Sequence, residues 1–180
     1  MNQEELESLK YPIGKFKNPT EITDNLIQSW IQTLENLPKK LQVLTSKLND
    51  NQLDTPYRPE GWTIRQVVHH IGDSHTNAYM RFKLALTEDN PTIRPYDEQA
   101  WAELFDTKTA PISLSLMFID ILHTKLVYLL KGLDEVQLNR TFYHPASQTN
   151  VTVKKNIGLY AWHSEHHFAH IENLVKRMNW

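Results

Sequence analysis

The chain has 180 residues, of which 40% are hydrophobic and 22% are charged, with a formal net charge of -2 and no cysteine. These totals fit one globular domain, and they exclude disulfides, thiolate metal ligands and a cysteine nucleophile. A net charge this close to zero also gives no reason to expect binding to nucleic acid or to an anionic membrane. Any metal ion must therefore be held by imidazole, carboxylate or water.

The N-terminus, MNQEELESLKYPIGKF, lacks the basic start and apolar run of a signal peptide. The chain has no window near 18 uninterrupted apolar residues, so we expect no membrane-spanning segment. These features predict a soluble cytoplasmic protein.

The chain divides into a short N-terminal arm and one domain. Residues 1–20 are predicted to be an extended arm, because Pro12, Gly14 and Pro19 interrupt any helix there. Residues 21–180 are predicted to form a single helical domain, since glycine is scarce and apolar residues recur at helical spacing.

The first two long helices are predicted from their apolar stripes and their start signals. One covers about 23–47, and Pro38 is expected to kink or split it. The next begins after Thr63, which forms a capping box with Gln66, and runs to about Thr87.

The second half of the chain is predicted to hold two further long helices. A connector with a short helix at about 97–104 leads to a helix over 113–132, which Gly132 ends. The segment 140–153 is predicted to be a small hairpin or irregular excursion, and the last helix covers about 153–178.

Four long helices with polar connections predict an all-α fold, a four-helix bundle. The connections before the third and fourth long helices are longer than those of a minimal up-and-down bundle. We therefore expect long crossover connections.

Four histidines fall within eight positions of the last helix. Counting about 100° per residue places His163 and His167 one turn apart at the inner edge of its apolar stripe. That spacing allows two imidazoles to reach one ion. His166 and His170 are predicted to point toward solvent.

The second long helix carries three more histidines. His70 lies at the edge of the apolar stripe, His75 lies inside it and is expected to be a hydrogen-bonded core residue, and His69 is expected at the surface. The positions of His123 and His144 in the sequence indicate no particular role for either residue. Two stripe-edge histidines on one helix and one on another are typical of a catalytic zinc or nickel site with open positions.

The string HSEHH does not match the zinc-protease motif, in which glutamate directly follows the first histidine, because Ser164 takes that place. Glu165 and Asp73 are near the candidate ligands in sequence but lie on poor helix faces. No general base, and hence no catalytic residue, is identified.

The two histidine-rich strings, GWTIRQVVHHIGDSH and LYAWHSEHHFAHI, resemble those of the DinB superfamily. Within it the chain resembles the YfiT-type proteins, described as metal-dependent hydrolases or as bacillithiol S-transferases. The likeness covers nearly the whole chain and extends to the strings YPIGKF, LDTPYR, RFKLALTE, IRPYDEQAW and FYHP.

The resemblance implies a four-helix bundle with one divalent metal ion per chain, zinc or nickel. Its motifs place the ligands at His70, His163 and His167, and they leave a supporting role for His170 open. It also implies a homodimer. The substrate would be a small-molecule thiol that is joined to electrophiles, or a hydrolysable compound.

Ser74 and Arg81 follow His70 on the same side of the helix and are candidate substrate-binding residues. An arginine suits a carboxylate-bearing substrate, and bacillithiol carries a malate moiety.

The alternative is a non-catalytic helical bundle whose histidines form a structural metal site or a pH-sensing interface. A structural zinc would need a fourth protein ligand, which only His75 or His170 could supply. For the homodimer, the candidate contact surfaces are the N-terminal arm and the connector that contains Tyr96 and Trp101.

Overall fold

The computed structural model describes residues 2–180 and consists of helices with one small hairpin. In chain order the elements are α1 (Gln3–Lys10), α2 (Asp24–Thr45), α3 (Asp50–Leu53), α4 (Ile64–Thr87), α5 (Glu98–Ala102), α6 (Phe105–Thr109), α7 (Ile112–Lys131), α8 (Glu135–Leu138), β1 (Thr141–His144), β2 (Thr149–Thr152) and α9 (Val153–Met178).

The long helices begin where local signals predict them. The Thr63 hydroxyl accepts from the backbone N–H of Gln66, and the Gln66 side chain accepts from the backbone N–H of Thr63, so the capping box at the start of α4 is confirmed. The hairpin is also confirmed, as β1 pairs antiparallel with β2.

Two expectations about the first half of the chain were wrong in part. Residues 3–10 are helical, because Asn2 and Glu5 form a capping box ahead of Pro12. Pro38 does not split α2, which is continuous through it. The missing N–H of Pro38 removes one helical hydrogen bond, and the rest of the helix packs on the core.

Four helices, α2, α4, α7 and α9, form the bundle, which confirms the predicted fold class. α2 packs against α7 and α9, and α4 packs against the same two helices. Therefore α2 faces α4 across one diagonal of the bundle, and α7 faces α9 across the other. Connections 46–63 and 132–152 cross these diagonals, whereas the long connection before α7 joins neighbouring helices.

The apolar core is divided into two clusters along the bundle axis. One includes Ile31, Phe82 and Leu126, and the other includes Leu37, Ile71 and Ile119. In α4 and α7 the residues between these clusters include His75 and His123, which are fully buried. In α9 the same level of the bundle lies between Tyr160 and Ile171. This segment contains His163, His166, His167 and His170. A layer of histidines thus crosses the middle of the bundle.

The helix α7 is long and apolar enough to cross a membrane, judged by length and composition alone. In this fold it is a bundle helix, because one face is buried against α2 and α4 through Ile119, Leu126 and Leu130. Its outward face exposes several large apolar side chains: Leu114, Met117, Phe118, Ile121 and Tyr128.

Candidate metal centre

The structure brings the three predicted ligands together. His70 on α4 and His163 and His167 on α9 each offer a ring nitrogen, and these three atoms lie within 4.8 Å of one another. The Nε2 atoms of His70 and His163 are 3.3 Å apart. Three imidazole nitrogens at such distances could hold one metal ion. That these residues bind a metal stays a prediction.

The three imidazoles are held in the neutral form that a metal ion requires. Burial, followed by the charge of a neighbouring histidine, lowers the pKa of His70 to about 4. Burial and neighbouring imidazoles also hold the pKa values of His163 and His167 well below the ordinary histidine range. Each ring therefore keeps one nitrogen lone pair at neutral pH.

A chain of hydrogen bonds runs from His163 into the core. The Nδ1 atom of His163 is 3.0 Å from Nε2 of His75, and Nδ1 of His75 is 2.8 Å from Nε2 of His123. The chain ends at the backbone carbonyl of Leu34, which accepts from Nδ1 of His123 at 2.7 Å. We call these residues the core chain.

A second, shorter chain runs from His167 toward the N-terminus. The Nδ1 atoms of His167 and His170 are 3.4 Å apart, and Nε2 of His170 donates to the carbonyl of Lys10 at 3.0 Å. We call these residues the N-terminal chain. Its contact with Nδ1 of His167 leaves Nε2 of that ring as the nitrogen available to an ion.

A second group of three histidines, His166, His167 and His170, also has ring nitrogens within 4.8 Å. The two groups share His167, so they are not independent three-histidine sites. In the second group the Lys10 carbonyl already occupies Nε2 of His170, and Nδ1 of His170 lies against His167. The first group is therefore the stronger candidate.

The histidines line a cavity of about 360 Å³. Aromatic side chains of the cavity wall pack closely against these histidines. The Trp62 ring is 4.6 Å from that of His70, Tyr57 stacks on His170 at 4.0 Å, and Trp162 stacks on His166 at 4.6 Å. Its charged lining residues are Lys10, Arg58, Glu60 and Glu98. Periodicity could not identify these residues, because all but Trp162 lie outside the two histidine-bearing helices.

Three histidines expected at the surface are buried: His69, His166 and His170. For His69 the cover is the start of α7, where Ser115 and the Ala110 carbonyl contact both ring nitrogens. For His166 and His170 it is the N-terminal segment, through Tyr11 and Lys10. Each helix has a second covered face, which a count based on one apolar stripe does not consider.

The expected core position of His75 is confirmed, since it is fully buried and both ring nitrogens are hydrogen-bonded. His123, which gave no signal alone, is its partner. The signal that could have found His123 is its place on the apolar stripe of α7, between Ile119 and Leu126.

The two substrate-binding candidates lie in different surroundings. The Ser74 hydroxyl is 3.5 Å from Nε2 of His163. Arg81 donates to the Tyr160 hydroxyl at 3.1 Å. Within residues 2–180, neither side chain is among those that line the histidine cavity.

The two carboxylates considered as bases differ as well. Glu165 forms an ion pair with Lys40 at 2.7 Å. Burial, followed by the nearby charge of Asp106, raises the pKa of Asp73 to about 6. The cavity wall itself carries two carboxylates that the sequence did not single out, Glu60 and Glu98.

The donor set fits a divalent metal ion. It consists of three neutral imidazoles, and for two of them the nitrogen away from the ion position is hydrogen-bonded, as is usual for metal-binding histidines. Comparison with known proteins shows the family. The family model of the DinB superfamily matches residues 33–171. The chain belongs to the DinB superfamily.

Curated relatives in this superfamily match nearly end to end. The chain is 51% identical over 173 residues to "Putative metal-dependent hydrolase YfiT" of Bacillus subtilis (strain 168), with 96% of this chain and 97% of the relative covered. It is 52% identical over 171 residues to "Putative metal-dependent hydrolase OB0782" of Oceanobacillus iheyensis, with coverage of 95% and 98%.

A solved structure shares the fold. YfiT from Bacillus subtilis, described as a probable metal-dependent hydrolase with an unusual four-helix bundle topology, matches with a TM-score of 0.94 and 51% identity. The match covers 96% of this chain and 99% of that chain. The crossings of the diagonals described above agree with that description of the topology.

Proposed function

We propose that this DinB-superfamily protein is a metal-dependent enzyme whose His70, His163 and His167 hold one zinc or nickel ion. The proposed reaction is S-transfer, which joins a low-molecular-weight thiol such as bacillithiol to an electrophile. Hydrolysis, which the names of the relatives suggest, is the second candidate. The observation that carries the proposal is the meeting of three neutral imidazole nitrogens at a cavity.

A divalent ion on three imidazoles supplies Lewis acidity and open coordination positions, which lower the pKa of a thiol or of water. The chain has no cysteine, so the reacting sulfur would come entirely from the substrate. The aromatic side chains of Tyr57, Trp62 and Trp162 form part of the cavity wall around the histidines.

The cavity also offers groups for an anionic thiol. Lys10 and Arg58 line it, and Nε of Arg58 donates to the Tyr57 hydroxyl at 3.2 Å, which orients the guanidinium. A guanidinium can bind a carboxylate such as that of a malate moiety through two hydrogen bonds. We propose Arg58 as the anion-binding group in the cavity and Ser74 as a contact beside His163. A role for Arg81 stays a prediction.

The alternative of a non-catalytic bundle is disfavoured by the contacts of His75 and His170, the two histidines that could supply a fourth ligand. A structural zinc site needs a fourth protein ligand. Both ring nitrogens of His75 are engaged by other histidines, and Nε2 of His170 is engaged by the Lys10 carbonyl. A pH sensor would need pKa values near neutrality, whereas burial lowers that of His170 to about 3.

The metal proposal is tested on protein purified without a histidine tag. We expect about one zinc or nickel ion per chain by elemental analysis, because the first group supplies one three-nitrogen site. His167→Ala should lose the ion or bind it far more weakly. The matched control is His144→Ala, which removes a histidine of β1 that belongs to neither three-histidine group. Wild-type protein that folds normally but does not bind either ion would contradict the proposal.

The reaction is tested with metal-loaded protein and two substrate classes. Conjugation of bacillithiol to a chlorinated bimane should be accelerated, and Arg58→Ala should raise the KM for the thiol more than it lowers kcat. The control is Arg94→Ala, which removes an exposed guanidinium that does not line the cavity. If esters or amides are hydrolysed while thiols do not react, hydrolysis replaces S-transfer as the function.

We further propose that the chain forms a homodimer through the outward face of α7. Its exposed apolar residues recur at helical spacing, as on a helix that pairs with an identical partner helix. Light scattering should give a dimer for the wild type and for Gln42→Glu, which changes an exposed residue of α2, and a monomer for Ile121→Glu. A monomeric wild type would contradict the proposal.

A further inference from the structure

The end of the core chain is a backbone carbonyl that Pro38 leaves free. In an α-helix the carbonyl of Leu34 would accept from the N–H of residue 38, and proline has no N–H. Instead, Nδ1 of His123 on α7 lies 2.7 Å from this oxygen. Both Leu34 and Pro38 are buried, so the contact is inside the bundle.

This carbonyl fixes the direction of every hydrogen bond in the core chain. A carbonyl can only accept, so the proton between Leu34 and His123 belongs to Nδ1 of His123. The Nε2 atom of neutral His123 must then accept from Nδ1 of His75. By the same step, Nε2 of His75 accepts from Nδ1 of His163.

The consequence reaches the candidate metal centre. With its proton on Nδ1, His163 presents the lone pair of Nε2, and that atom lies 3.3 Å from Nε2 of His70. If the hydrogen bonds ran in the opposite direction, the proton of His163 would lie on Nε2, and that atom could not bind an ion. The arrangement of donors therefore decides whether His163 can bind an ion.

We propose that His75 and His123 are positioning residues of the metal centre, which act through the Leu34 carbonyl to hold His163 in the Nδ1–H tautomer. Neither residue touches the ion position. They orient the His163 ring and keep its proton on Nδ1, the nitrogen that faces away from the ion position. This proposal rests on the metal function proposed above, but the tautomer itself is a property of the metal-free protein.

The tautomer is tested first, without metal. Long-range ¹H–¹⁵N correlation spectra of the metal-free protein distinguish a protonated from an unprotonated ring nitrogen. We expect protons on Nδ1 of His123, His75 and His163. A proton on Nε2 of His163 would overturn the proposal, whether or not the protein binds metal.

Two variants at one position then test the consequence for binding. His75→Gln keeps an acceptor for His163 and a donor for His123, whereas His75→Phe keeps neither. Removing such a partner typically weakens metal affinity by about 10–100-fold, which we expect for the phenylalanine variant. The glutamine variant should stay within about 10-fold of the wild type. The probe is Zn²⁺ in competition with a chromophoric chelator.

The outcomes separate this proposal from the metal function. If the wild type binds no zinc, the metal function fails and the spectra alone decide the tautomer. If the wild type binds zinc and both variants bind equally well, the positioning role is wrong. Thermal unfolding checks that each variant is folded. If the phenylalanine variant does not fold, the glutamine variant and the spectra decide.

Discussion

The two sides of the histidine cluster are built differently. The core chain links His163 to a carbonyl in the middle of α2 through two fully buried histidines. The N-terminal chain links His167 through one histidine to the Lys10 carbonyl, at the end of α1, a helix with no buried residues. Both chains end on an oxygen that can only accept.

The core chain is part of the four-helix bundle, whereas the N-terminal chain depends on α1, a surface helix outside the bundle. The core chain cannot open without separating α2 from α7, because its residues lie between the two apolar clusters. The N-terminal chain can open when a surface helix detaches. We infer that, of the proposed ligands, His163 is held rigidly and His167 is adjustable.

Acid should destabilise the buried histidine cluster, and this should be the largest effect. Burial lowers the pKa of His166 to about 4 and of His170 to about 3, whereas the unfolded chain takes up these protons near pH 6.5. The folded-state pKa values are depressed, so the unfolded state binds more protons between these limits and stability falls as the pH falls. We expect a loss of about 1 kcal/mol per buried histidine for each pH unit between about 6 and 5.

Urea denaturation at several pH values measures this loss in metal-free protein. The spectra of His75 and His163 should stay those of neutral rings at pH 5, because burial holds both pKa values well below the ordinary histidine range. Constant stability from pH 7 to pH 5 would contradict the burial of neutral histidines.

Breaking one link in each chain should have unequal effects on stability. His123→Phe leaves Nδ1 of His75 and the Leu34 carbonyl buried without partners, which should cost about 1–3 kcal/mol for each group. His170→Phe should cost less, because the Lys10 carbonyl and Nδ1 of His167 can then be reached by water from the cavity. The free energies of unfolding of these two matched variants test the comparison, and equal losses would contradict it.

The sequence predicted those features that depend on local signals. The capping box at Thr63 and the span of α9 follow from nearby residues and from the apolar stripe. The approach of His70 to His163 and His167 was also predicted, because all three lie at stripe edges.

Other features depend on segments that are distant in the chain. The burial of His166 and His170 depends on the segment around Lys10 and Tyr11, about 160 residues away. The core chain depends on a backbone oxygen that Pro38 frees, and side-chain periodicity contains no information about that atom. The nearest signal was Pro38 itself, which was expected only to kink or split the helix.

Removing residues 1–10 should affect the metal site more than the fold. The deletion takes away α1, which buries no residue, and the Lys10 carbonyl. We expect the free energy of unfolding to change by less than about 1 kcal/mol and zinc affinity to fall by less than about 10-fold, since water can replace the carbonyl. Urea denaturation and chelator competition measure the two quantities. A deletion variant that fails to fold would show that the N-terminal segment belongs to the core.

The smallest effect is expected for the ion pair between Lys40 and Glu165. Both side chains are more than a third exposed, so Glu165→Gln should change stability by less than about 1 kcal/mol. Zinc affinity should be unchanged, because this carboxylate is held by Lys40 on α2. A large loss of activity in this variant would instead identify Glu165 as a base.

The most direct test of the central claim is the position of the ion. Crystals grown from zinc-loaded protein should show one anomalous peak per chain at the zinc edge. We predict this peak between His70, His163 and His167, about 2.0–2.1 Å from one nitrogen of each ring. A peak between His166, His167 and His170, or no ordered zinc on the histidine layer, would contradict the account.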